Sequence, residues 1–347
     1  MNPTLAPEAP EEDVEPDPAR AKSISLPPPR GPISRRLLKA LRGRPGPIPT
    51  GFKRPADPLA DDDLHLALYV CYEMHYRGFP DVDPRWEWEP GLIAFRNKLE
   101  QVFEAALLDK YMDEESDLEV VETVKMLANR TQGPSLSSYM STDATYEQFL
   151  EFVIHRSAYQ LKEADPHTWA IPRLDGKAKA AMVEIQADEY GGGRYERMHA
   201  ELFRNTMLAL GLNGTYGAYL ERIPGVTLAT VNLISFFGLH RRLRGATVGH
   251  LAIFEMTSSQ PNKGYGDGAR RLGATPDITE FYDEHVEADS VHEVIAAYDL
   301  AGGLAAQEPE QGPMILFGAR ACAGLDARFS AHVLDCWSAG QTSLRQP

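Results

Sequence analysis

From Pro58 to the C-terminus the chain carries one period, that of the α-helix, again and again. Apolar residues recur at spacings of three and four in Leu64–Tyr76, Pro90–Leu108, Asp117–Arg130, Thr145–Glu163, Ala178–Tyr190 and Tyr195–Leu210. They do so again across 226–257, in Thr279–Leu304 and in Ala327–Ala339. That repeat lays an apolar stripe along one side of a helix. The punctuation agrees with it. Asp61-Asp62-Asp63 opens a run at the end where the helix dipole favours acids, Asp165-Pro166 stops one, and Gly191-Gly192-Gly193 separates two. No period-2 alternation is sustained, and Asn213-Gly214 falls between helical runs rather than between strands. The predicted fold class is therefore all-α, a helical bundle.

The first 56 residues are different material. Thirteen of the 26 prolines lie within residues 1–55, where each removes an amide donor and fixes φ. An acidic stretch, Glu8–Asp17, precedes a basic one, Arg30–Arg44. Composition predicts a disordered Pro-rich tail over 1–56, followed by a single helical domain over 57–347 with its metal-binding core in 145–304. The competing reading makes Ser34–Arg44 a short basic amphipathic helix, docked on the acidic body or on a membrane surface. The net charge of −15 disfavours a nucleic-acid partner. Three scattered cysteines, Cys71, Cys322 and Cys336, make neither a disulfide framework nor a thiolate site, which fits a cytoplasmic location. The N-terminus has no apolar core of a signal peptide, and the most apolar stretch, Val226–Leu239, is too short for a membrane span.

Chemistry concentrates in three segments. His285, Asp289 and His292 stand at i, i+4 and i+7, so a helix points all three from one face. Two imidazoles and a carboxylate converging there suit a transition metal; the competing reading is a polar face on which histidines happen to align. Glu196 and His199 form an E-x-x-H pair, the spacing by which bundle helices present a carboxylate and an imidazole inward to iron, although exposed pairs of this kind are common. Glu189 ends the preceding helix before the triple glycine, whose freedom allows both pieces to face one site. Glu163 ends a helix, where the dipole disfavours an anion unless a site needs one. Glu163, Glu189, Glu196 and Asp289 supply four negative charges, two divalent irons four positive ones, and His199, His285 and His292 are neutral ligands. Carboxylate-rich ligation without thiolate favours iron, with manganese as the alternative.

The segments LKEADPHTWAIPRL, EIQADEYGGGRYERMHAELF, GLHRRLRGATVGHLAIFEMTS and FYDEHVEADSVHE resemble the iron-containing redox enzyme family of haem-oxygenase-like diiron oxidases, over roughly residues 60–340. The resemblance implies a haem-oxygenase-like bundle of about seven core helices. It implies two irons held by Glu163, Glu189, Glu196, His199, His285, Asp289 and His292. It further implies dioxygen activation to oxidise a small amine, amino acid or fatty-acid-like substrate, by N-oxygenation, oxidative decarboxylation or C–C cleavage. An electron donor and, by fold analogy, a homodimer belong to the same expectation. Glu255, Tyr159, Trp169 and Arg241 are candidates for contacting the substrate or supporting the ligands; the competing readings are a helix-packing residue for Glu255, core for Tyr159 and Trp169, and a solvated basic face for Arg241. The alternatives in function are a non-catalytic metal-binding scaffold on the same fold and a haem-binding protein.

Overall fold

The computed structural model describes residues 24–112, 119–130 and 135–346; the side chains of 288–291 lie outside the description. Among the described residues the regular structure is helical throughout, with no strand. The helices are α1 (Pro32–Leu41), α2 (Asp62–Glu73), α3 (Pro90–Tyr111), α4 (Val120–Ala128), α5 (Leu136–Thr142), α6 (Tyr146–Gln160) and the single turn α7 (Asp165–Thr168). There follow α8 (Gly176–Glu189), α9 (His199–Ala209), α10 (Gly225–Leu239), α11 (Arg244–Arg271), α12 (Pro276–Val294), α13 (Gly302–Gln307) and α14 (Gly312–Ser338). None of them is long and apolar enough to cross a membrane.

Local chemistry sets their ends. The Asp61 carboxylate accepts from the Leu64 amide at 2.8 Å and caps α2. Thr145 and Gln148 close a capping box at the start of α6. The run 226–257 divides because His240 is extended (φ −111, ψ 109) and a 3₁₀ turn over Arg241–Leu243 separates α10 from α11. The run 279–304 is also composite: α12 passes into a π-helical stretch, Ile295–Ala301, before α13.

The expectation of a disordered tail to residue 56 is corrected from residue 24 onward. Helix α1 buries Ile33, Leu37, Leu38 and Leu41 against α2. Its first turn is capped from outside: the Ile33 and Ser34 amides each donate to the Asp63 carboxylate at 2.8 Å, and Ser34 Oγ adds a third bond at 2.5 Å. This is the docked amphipathic helix, seated through its apolar side. Residues 1–23 lie outside the description.

Helix α11 packs along α12, α14 and α5. Its close approach to α14 rests on glycine: a Cβ on Gly249 would fall 1.8 Å from the Ile315 carbonyl oxygen, and one on Gly318 2.1 Å from that of Ala246. No side chain fits there, so the two backbones touch, and α11 is held where it can direct its polar residues at α8 and α12.

Candidate metal centre

Two irregular pieces of backbone aim half of the site. Glu163 sits in the turn that follows α6, and Ala164 next to it holds φ 72 and ψ −36, the one positive φ outside glycine among the described residues. Such a conformation costs about 1–3 kcal/mol and persists only where its surroundings enforce it. Here Gln186 of α8 does so, donating from Nε2 to the Ala164 carbonyl at 2.8 Å. Glu189 is the last residue of α8. Beyond it Gly191, Gly192 and Gly193 have φ of 66, 60 and 80, and a Cβ on Gly191 would lie 2.6 Å from the Met198 nitrogen. Only glycine permits so tight a reversal. It sets His199, at the start of α9, with Nδ1 2.9 Å from Glu189 Oε2.

Helix α12 supplies two imidazoles from one face. His285 donates from Nδ1 to the Phe281 carbonyl at 2.7 Å, which turns Nε2 toward Glu163 Oε1 at 3.5 Å. Its ring lies 4.4 Å from that of His199. Two turns on, His292 donates from Nε2 to Asp188 Oδ2 at 3.0 Å and presents Nδ1 to Glu255 Oε2 at 3.4 Å. Hydrogen bonds of this kind fix the tautomer of a metal-binding histidine and aim its lone pair.

The donor atoms form two groups. Glu163, Glu189, His199 and His285 make one; Glu189, Glu255 and His292 make the other. Within each, the atoms lie within 4.8 Å of one another, a spread that a divalent ion with bonds of about 2.1 Å can span. Glu189 belongs to both. All six residues are buried, and Glu163 Oε2 has no hydrogen-bond partner among the described residues. Buried carboxylates beside imidazoles, without thiolate and with preset tautomers, are a donor set that fits iron.

The sequence-predicted residues sort accordingly. Glu163, Glu189, His199, His285 and His292 are brought together. The Asp289 side chain lies outside the described residues. Glu196 is corrected: it is exposed on a 3₁₀ turn, Tyr195–Arg197, and Met198 is extended (φ −61, ψ 130), so the helical i, i+3 relation to His199 does not exist. Glu255, a candidate for contacting the substrate or supporting the ligands with helix packing as the competing reading, stands in a donor group. Its sequence signal is faint, a single acid in the apolar run LAIFEM. Of the supporting candidates, Tyr159 lines a cavity beside the site and Trp169 a surface depression with Tyr76 and Tyr190. Arg241 is exposed on the turn before α11.

Electrostatics in the metal-free chain follow from the same contacts. Burial would raise the Glu189 carboxyl, but His199, followed by His285 and His292, holds it at about 2. Burial would lower His199, and Glu189 reverses the sign. Burial likewise opposes His292, yet the Glu255 and Asp188 carboxylates keep it protonated up to about 9. A raised imidazole contributes stability below its unfolded value near 6.5 and loses it as pH climbs through about 9. The metal-free protein should therefore weaken between those values, and divalent metal must displace a proton from His292 to bind. At pH 7.5, Fe(II) uptake is expected to release about one proton or more per chain, measured as the dependence of calorimetric enthalpy on buffer ionisation. Uptake without proton release would contradict this pairing.

No curated protein matches the chain. The model of a family described as "Iron-containing redox enzyme" matches residues 150–327, just over half of the chain. The matched region holds every residue of both donor groups. With its all-helical fold of the haem-oxygenase-like kind and buried carboxylate–imidazole cluster, the chain belongs to the iron-containing redox enzymes.

Proposed function

We propose that this protein is a non-haem diiron oxidoreductase that uses dioxygen to oxidise a small organic substrate. The observation that carries the reading is the double membership of Glu189. Glu163, His199 and His285 would hold one iron and Glu255 and His292 the other, with Glu189 serving both. When bound, the irons supply the electrons and Lewis acidity for dioxygen reduction.

The chain does the rest. Phe281 and Asp188 hold the two α12 imidazoles in the ligating tautomer. Phe203 and Phe281, stacked edge-on at 5.0 Å, close an apolar wall around His285 that excludes water. The adjoining cavity admits the substrate beside Tyr159 and Phe281. N-oxygenation, oxidative decarboxylation and C–C cleavage are the reactions such a centre would run, and turnover as an oxygenase calls for an external electron donor.

The test is oxygen consumption. Protein loaded anaerobically with Fe(II) should consume dioxygen in stopped-flow mixing, and metal-free protein should not. His285→Ala should slow that consumption by about 100-fold or more. Consumption at the normal rate in this variant would sink the reading.

A further inference from the structure

A cavity of about 650 Å³ runs beside the metal centre, large enough to bury a small metabolite. Much of its wall is apolar, from Phe152, Phe203, Ile253, Phe254 and Phe281. Two lining residues tie it to the centre. The Phe281 ring lies 4.3 Å from that of His285. Tyr159, four residues before Glu163 at the end of α6, lines the cavity as well.

The same cavity contains an ion pair that the proposed metal chemistry does not use. Arg156 reaches Asp326 with Nη2 to Oδ1 at 3.3 Å. Its guanidinium lies over the Phe329 ring at 4.8 Å and the Phe152 ring at 5.5 Å, so its plane is fixed. Two further lining groups are buried without a hydrogen-bond partner among the described residues, Gln160 Oε1 and the Tyr282 hydroxyl. A buried polar atom left so carries an uncompensated desolvation cost, which a bound polar head would recover. Arg156 stands in the last two turns of α6 and Glu163 in the turn beyond the helix end, so a head held there leaves a tail free to extend toward the centre.

The pairing of charges specifies the head. A simple carboxylate on Arg156 would meet the Asp326 anion, and a simple amine on Asp326 would meet the guanidinium. A molecule carrying both groups satisfies both, with Gln160 Oε1 accepting from its ammonium and Tyr282 donating to its carboxylate. We propose that the cavity binds a zwitterionic amino acid with an extended apolar side chain, its carboxylate on Arg156 and its ammonium on Asp326. That this ligand is the substrate rests on the oxidoreductase reading above; that it binds does not.

The experiment is calorimetric titration of the metal-free full chain with three probes of one tail length, 2-aminooctanoate, octanoate and octylamine. The zwitterion should bind at least about 10-fold tighter than either of the others. Arg156→Met and Asp326→Asn should each cost about 10-fold or more while Fe(II) uptake stays unchanged. Should Arg156→Met fail to fold, Arg156→Lys keeps the charge and loses the planar fork, with the same expected loss. Octanoate binding as tightly as 2-aminooctanoate, binding of none of the three, or full affinity in Asp326→Asn would each overturn the proposal. Because no iron is present, zwitterion binding without iron-dependent oxygen consumption would remove the oxidoreductase reading and leave this site standing.

Discussion

Glu189→Ala is expected to strip both irons from the protein, not one. Glu189 alone among the described residues belongs to both donor groups. Its carboxyl is held near 2 by three surrounding imidazoles, so it is ionised at any working pH and ready to bind metal. Deleting it removes a ligand from each side and leaves His199 without its 2.9 Å partner. Each site should lose about 100-fold or more in Fe(II) affinity, and iron-dependent oxygen consumption should fall to background. Iron should then no longer raise the melting temperature, because that rise is linked to binding by the native state. Metal analysis after anaerobic loading and desalting reads the result. Retention of two irons would remove the shared role of Glu189.

The second large effect separates two glutamates that the sequence ranks in the opposite order. Glu255→Gln keeps the shape of the side chain and removes its charge. It should take iron from the side shared with His292 and leave one iron on Glu163, Glu189, His199 and His285. Glu196→Gln, on an exposed turn, should leave loading and oxygen consumption at the unsubstituted level. The comparison is a count of irons per chain in the two variants. One iron lost in Glu196→Gln and none in Glu255→Gln would restore the E-x-x-H reading.

The reason for that reversal shows how far the sequence could lead. Periodicity marked the helices because apolar spacing of three and four has one structural meaning over long runs. It also placed His285 and His292 on one face of α12, since seven residues are two turns of a continuous helix. The same rule misled at Glu196, where the chain is not a continuous helix: the three glycines end α8, and an extended Met198 turns Glu196 outward while His199 points in. Glu255 has no partner at ligand spacing on its own helix. It reaches His292 only through the packing of α11 on α12, which no local pattern encodes. The N-terminal segment illustrates a third case. Proline density argued for coil, but Leu26, Leu37, Leu38 and Ile48 supply enough apolar surface to seat 24–56 on the body, and Asp63 supplies the cap. Arg156 and Asp326 were invisible for the same reason as Glu255, being 170 residues apart.

The most direct measurement is anaerobic Fe(II) titration of the metal-free protein, read as irons bound per chain at saturation. The shared carboxylate between two donor groups predicts two irons per chain. A single iron, or none, would contradict a diiron centre.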